Sequence, residues 1–290
     1  MLRRGTRVRN GRLANAVRST GRWASSVNYA RRYNRGLGPD ATVLHFFPMR
    51  PHPLARITRI CAVLGLRIGH GVQAGEPTIA WDAGTWLSSR SAAKLPPDAI
   101  NGACLDISKS RVDEAWESVA GYSVEVDPLV TEGPLVIKSE VNSRHDGRIV
   151  AGPLRERKHG YVYQRLVDVQ DGDSFLDLRP SIVGGQIATL VRCWRPANRW
   201  YMPPTRLVQD DPATEFSPAE MDLLLRFAAR IGLDYGEVDV LRDKSSGLIY
   251  VVDANRTPYG PSAAMPSAEA AKVTARQAEA FSGLLASRWP

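Results

Sequence analysis

The chain has 290 residues, 43% of them hydrophobic, enough to bury a core in one large domain or in two to three small ones. No apolar run approaches the roughly 18–20 residues that a membrane-spanning helix requires. The formal charge of +8 is concentrated at the start, where Arg3, Arg4, Arg7, Arg9, Arg12, Arg18, Arg22, Arg31, Arg32 and Arg35 all precede the first acidic residue, Asp40. Without that arm the remainder is close to neutral, so net charge says little about the body of the protein.

The basic arm over 1–39 has three readings. It suits an anionic partner, whether nucleic acid, an acidic carrier protein or a membrane surface. It also has the Arg- and Ser-rich, acid-free composition of a transit-type presequence. The plain reading is a solvated basic tail. The cysteines, Cys61, Cys104 and Cys193, are far apart and form no metal or redox spacing, which points to a reducing, cytoplasmic setting.

In chain order, Thr42 to Phe47 is a continuous apolar strand signal stopped by Pro48, Pro51 and Pro53. Leu54 to Leu66 has helical spacing, and Thr78 to Trp81 is a further strand. Strand, helix and strand in that order predict a small β-α-β lobe over 40–97, closed by Pro96-Pro97. Ser108 to Ala120 reads as a helix capped by Ser108. Tyr122 to Val126, Leu135 to Lys138 and Tyr161 to Val167 read as strands. Asp177 to Ile182 and Ile187 to Trp194 form a hairpin turning at Gly184-Gly185. Pro218 to Ile231 is the clearest helix, with Ser217 as cap, Pro218 at its first position and Glu220 completing a capping box. Ser267 caps a closing helix to about Ser287. The fold class is α+β with a small α/β lobe in front.

The run from Gly236 to Asn255 carries acids where a hairpin should carry apolar residues. Gly236 to Leu241 and Leu248 to Asn255 flank a turn made of Asp243, Lys244, Ser245, Ser246 and Gly247. Symmetric pairing sets Asp239 opposite or nearly opposite Asp253, and Asn255, two residues on, shares a face with Asp253. Facing like charges are destabilising. A hard divalent cation such as Mg²⁺, or Mn²⁺, removes the conflict, because carboxylate and amide oxygens are its ligands.

Taken in order, Asp106 to Lys109, Pro134 to Lys138, Tyr163-Gln164, Asp177 to Arg179, Arg192, Gly236 to Asp239 and Asp253 to Asn255 resemble the ATP-grasp superfamily over about 101–261. The resemblance implies two α+β subdomains over 98–290 gripping ATP, with a hinge near 163–168 and the 40–97 lobe as the preceding domain. It also implies carboxylate activation as an acyl phosphate followed by ligation to an amine. Lys138 and Lys109 then contact phosphate; the plain reading of each is a solvated lysine, and it weighs more for Lys109, whose surroundings are less distinctive. The backbone around Tyr163, Gln164 and Leu166 pairs with adenine, and Asp168 or Asp171 reaches the ribose.

By the same resemblance Arg179 and Arg192 hold the γ-phosphate and the activated carboxylate, a task that suits the planar guanidinium fork. Arg195 and Arg199 read as surface residues or substrate contacts. Asp239, Asp253 and Asn255 are the metal set. The family usually has Glu where Asp253 stands, and its phosphate-covering loop, here Ser139 to Arg148, often holds several glycines rather than Gly147 alone. Arg144 and His145 in that loop are phosphate contacts or solvated. Trp81, Asp82, Thr85 and Trp86 line the substrate side or pack, and Asn198 to Pro204 is a lid or a surface loop. The expected partners are small-molecule or peptide carboxylates and amines. Alternatives on the same scaffold are a phosphotransferase or a nucleotide-binding protein with weakened turnover.

Overall fold

The computed structural model describes residues 35–144, 146–199, 204–260 and 265–290. The basic arm over 1–34, His145 and most of the expected lid lie outside the described residues. Among the described residues three sheets organise the molecule.

The first sheet begins with β1 (Val43–Pro48), followed by α1 (Arg56–Leu64), β2 (Arg67–His70), β3 (Thr78–Trp81) and a short α2 (Ser89–Ala92). Gly65 ends α1 at φ +68°, where its N–H bonds the Cys61 carbonyl. The strands run parallel in the order β2-β1-β3. The sequence reading placed β3 directly after the helix. The structure instead inserts β2 there and sets β3 on the other side of β1. An edge strand reading Arg-Ile-Gly-His has almost no apolar signal, which is why it went unread.

The second sheet follows α3 (Lys109–Ala120) and contains β4 (Gly133–Ser139), β5 (Arg148–Gly152) and β6 (Tyr161–Arg165), antiparallel in the order β5-β4-β6. Ser108 occupies the cap position of α3 without a side-chain bond to the helix. Tyr122 to Val126, expected as a strand, makes only one bridge, Glu125 to Gln164. Asp113 of α3 accounts for this, because its carboxylate accepts from the Val124 N–H at 2.9 Å and takes a donor that a ladder would need.

The third sheet has six strands: β7 (Gln170–Asp171), β8 (Ser174–Val183), β9 (Gln186–Pro196), β10 (Arg206–Asp210), β11 (Tyr235–Arg242) and β12 (Ile249–Asn255). Helices α4 (Pro212–Glu215) and α5 (Pro218–Ile231) precede β11, and α6 (Ser267–Arg288) closes the chain. The order is β10-β9-β8-β11-β12, with β7 on β8. The β8–β9 hairpin turns at Gly184 and Gly185, both at positive φ, as the predicted dipeptide requires. The capping box of Ser217 and Glu220 forms, and Gly232 ends α5 where a Cβ would lie 2.6 Å from Ala103. Pro266 rather than Ser267 holds the cap position of α6, with no side-chain bond.

One face of this sheet is apolar. Leu178, Ile182, Leu190, Val238, Val240 and Val251 pack there against Trp116, Phe216, Leu224 and Phe227. Each such buried large side chain contributes about 1.5–3 kcal/mol. A second cluster joins Leu44, Phe46, Ile57, Ile60 and Ile79 to Tyr235, Phe281 and Leu284. The last helix therefore returns to the first lobe. Arg256, 1% exposed, fastens the same junction by donating to the carbonyls of Asp82 at 2.9 Å, Cys104 at 2.6 Å and Gly84 at 2.9 Å. Cys61, Cys104 and Cys193 are buried as thiols, and burial raises Cys61 to about 12 and Cys104 to about 11. Among the described residues no helix is long and apolar enough to cross a membrane.

Candidate active site

The charged face of the six-stranded sheet lies across a cleft of about 700 Å³ from the β4–β5–β6 sheet. Strand alternation fills one wall. On β4 and β6, Val136, Lys138 and Gln164 share a face, since Val136 pairs with Gln164. On the opposite wall Asp177, Arg179, Arg195, Asp239, Asp253 and Asn255 line the space, and Lys109 enters from the start of α3.

The acidic hairpin pairs as its sequence suggests: Asp239 faces Asp253, and Glu237 faces Asn255. The pairing then steps from Asp239–Asp253 to Val240–Val251, which leaves Val252 bulged. A bulge re-aims side chains, and here the adjacent Val252 and Asp253 both line the cleft.

The charges are tightly interleaved. Arg179 donates to Asp239 at 2.8 Å and to Asp177 at 3.0 Å, and reaches Glu237 at 3.5 Å. Arg195 also bonds Asp177. Lys109 Nζ lies 3.8 Å from Asp253 Oδ1. Burial raises the Asp239 carboxyl above the usual range; Asp177, Asp253 and Glu237 add to this, and Arg179 opposes it. Burial lowers Lys138 to about 8, with Lys109 pushing the same way against the pull of Asp253 and Asp239. Burial works against the Arg179 charge, but Asp239, Asp177 and Glu237 more than offset it and hold the group protonated. Carboxylates and two lysines thus line one cleft, a composition that would suit a polyanion and a cation together.

Solved structures of the ATP-grasp ligase PsnB share this arrangement of sheets. Its complex with precursor peptide PsnA2 and AMPPNP matches with a TM-score of 0.57 at 13% identity, over 86% of this chain and 99% of that one. Its complex with a phosphomimetic variant of a minimal precursor, Mg and ADP matches at 0.56 and 11% identity, over 85% and 99%. The chain has the ATP-grasp fold. No family model and no curated protein sequence matches it.

Within the ATP-grasp fold, Lys109, Lys138, Gln164, Leu166, Arg179, Asp239, Asp253 and Asn255 all line the one cleft. Other expected site residues do not reach it. Arg192 pairs with Leu178 in the β8–β9 register and so lies on the helix-backed face, ion-paired to Asp210 at 3.2 Å and Glu215 at 2.9 Å. The Tyr163 side chain is buried outside the cleft lining, its hydroxyl accepting from the Lys158 N–H at 2.6 Å. Asp168 is exposed beside the hinge and absent from the lining; its carboxylate accepts from the Gln170 N–H at 3.1 Å. Asp171 is held by the Trp194 indole at 2.7 Å. Trp81 is packing, edge-on to Phe46.

Sequence reasoning gave Asp177, Glu237 and Arg56 no role in the charged network, and it undervalued Arg195. All four belong to it: Arg195 lines the cleft, and Arg56, from the first lobe, reaches Glu237 at 2.7 Å. The available signal was parity. Arg195 and Asp177 fall on the same strand face as Arg179, whereas Arg192 does not.

The oxygen donors fit a hard cation. Among the described residues no three of His, Cys, Asp and Glu gather into a cage. Mg²⁺ does not need one, since it usually takes one or two carboxylates plus substrate phosphates. Asp239, Asp253 and the Asn255 amide, which all line the cleft, would supply that set.

Proposed function

We propose that the protein is an ATP- and Mg²⁺-dependent ligase that activates a carboxylate as an acyl phosphate and joins it to an amine. The carrying observation is the gathering of Lys109 and Lys138 with Asp239, Asp253 and Asn255 around one cleft of the ATP-grasp fold. The β4–β5–β6 sheet and the six-stranded sheet act as the two gripping subdomains, with the chain between β6 and β7 as the hinge.

In this reading Lys138 and Lys109 bind the nucleotide phosphates, and the Arg165 to Val167 backbone with the Gln164 side chain binds adenine. Asp239, Asp253 and Asn255 would hold Mg²⁺, whose charge neutralises phosphate oxygens. Arg179, with Arg195 in the place expected for Arg192, orients the γ-phosphate and the carboxylate. Fixed guanidinium donors stabilise charge as it develops without reorganising. The cleft walls Val136, Val169, Leu176 and Val252 exclude water from the acyl phosphate. Amine attack then expels phosphate and yields the amide.

The test is binding of AMPPNP with and without Mg²⁺, followed by ADP release with carboxylates and hydroxylamine. Magnesium-dependent binding together with hydroxamate formation is expected. A stable phosphorylated product that forms without any amine would show a phosphotransferase instead.

A further inference from the structure

The two cleft lysines sit on different parts of the fold, and one carboxylate joins the segments that carry them. Lys109 opens α3, and Lys138 is the penultimate residue of β4. Both line the main cleft, and the charge on Lys109 opposes the charge on Lys138. Ammonium groups held close repel, so their spacing depends on what fixes their backbones. Two residues beyond Lys138, the Glu140 carboxylate accepts from the Ser110 N–H at 3.2 Å and from the Ser110 hydroxyl. Ser110 directly follows Lys109. The Glu140 N–H donates to the Gly160 carbonyl at 2.9 Å, one residue before β6.

This contact stands where a local one is usual. A helix preceded by serine commonly takes its first cap from that side chain. Ser108 makes no such bond, and its own N–H is held by Asp106 at 2.7 Å. The first turn of α3 has no acidic residue. Glu140, 30 residues along the chain, supplies the acceptor instead, and a helix N-terminus favours a carboxylate. A local cap would satisfy the helix without ordering a distant loop. The remote one also ties the loop after β4 to α3, and the Asn142 N–H, donating to the Thr85 hydroxyl at 2.8 Å, ties that loop a second time.

We propose that Glu140 is a positioning residue for nucleotide phosphate: through Ser110 it fixes the Lys109 and Lys138 segments at one spacing, so that both ammonium groups meet a single polyanion. The inference rests on the ATP reading of the main cleft. It predicts a sign. As a bare negative charge Glu140 would repel phosphate, and its removal would tighten nucleotide binding. As the tie between the lysine segments, its removal weakens binding, and only for ligands that carry phosphates.

The full chain and its variants are titrated with AMPPNP in Mg²⁺ and, separately, with adenosine. Glu140→Ala should weaken AMPPNP binding by about tenfold, the scale of a lost bond to a charged group, while adenosine stays within about twofold. Glu140→Gln removes the charge and keeps an acceptor oxygen, so it should bind AMPPNP at least as tightly as the unaltered chain. Ser110→Ala, which loses the hydroxyl and keeps the N–H, should weaken AMPPNP by roughly threefold, and adding it to Glu140→Ala should cost nothing further. Tighter or unchanged AMPPNP binding in Glu140→Ala, an equal loss for adenosine, no recovery in Glu140→Gln, or additive losses in the double variant would each overturn the positioning role. Should Glu140→Ala not fold, Ser110→Ala decides: a loss confined to AMPPNP supports the tie, and an unaltered affinity overturns it. Failure of the unaltered chain to bind AMPPNP with Mg²⁺ would overturn the ATP reading itself, whereas normal binding with silent variants would overturn the role of Glu140 alone.

Discussion

The two faces of the six-stranded sheet are built from the same strands and do opposite work. Leu178, Leu190, Val238 and Val240 turn one way into the main core, while Asp177, Arg179, Glu237 and Asp239 turn the other way toward the cleft or its buried margin. The first face stabilises the fold. The second carries interleaved charges whose desolvation opposes it. The difference teaches that charges concentrated on one face of an otherwise well-packed sheet are a sign of chemistry rather than of stability.

The sharpest way to break this contrast is to delete one residue from each side. Phe227→Ala should cost about 3–5 kcal/mol of stability in thermal or denaturant unfolding, since it empties part of the core behind the apolar face. Asp253→Ala should leave stability unchanged or raise it by up to ~1 kcal/mol, because a like charge opposite Asp239 is removed. The same variant should lower Mg²⁺-dependent ADP release roughly a hundredfold or more. A fully active Asp253→Ala enzyme would end the metal assignment.

A smaller effect should separate two arginines three residues apart. Arg195→Leu should weaken Mg·AMPPNP binding or turnover by about tenfold, equivalent to ~1.4 kcal/mol. Arg192→Leu should leave both intact and cost about 1 kcal/mol or less of stability through its partly exposed pairs with Asp210 and Glu215. Titration calorimetry on the two variants decides between the faces, and equal losses would mean the strand register does not govern function.

A further effect concerns pH. Glu125, bridged to Gln164 at the edge of the cleft sheet, is raised from 4.5 to about 7 by burial, with Asp113, Glu140 and Glu117 adding to the shift and Arg157 opposing it. The folded state therefore keeps a proton that the unfolded chain releases. Stability falls as pH rises from about 4.5 to about 7 and levels off above. Glu125→Gln should flatten that slope, read as the midpoint of denaturant unfolding across the window.

Much of this contrast was legible in the sequence. Acids at alternate positions of a β-rich run can share one face only if something on that face wants them, which is why Asp239, Asp253 and Asn255 stood out. The capping box of α5 was equally plain, because its signal is local. What failed was non-local. Arg192 stood out as a charge in an uncharged run, but only the pairing of β8 with β9 tells which face it takes. The edge strands β2, β5 and β10 are short and rich in Arg, Gly and Asp, so their pattern does not separate them from loops. Arg56 and Glu237 meet across 181 positions of chain, and no spacing rule reaches that far.

Arg256 has a mechanical consequence. Directly after the last metal-set residue, it grips three backbone carbonyls, two in the Asp82–Gly84 turn and one at Cys104. Any motion that keeps those bonds must carry the first lobe and the acidic hairpin together as one stationary jaw. The β4–β5–β6 sheet is tied to that jaw by Ser110 to Glu140 and Thr85 to Asn142, and β6 is also bonded to the 124–126 segment, so any opening of the cleft has to move that sheet against these ties.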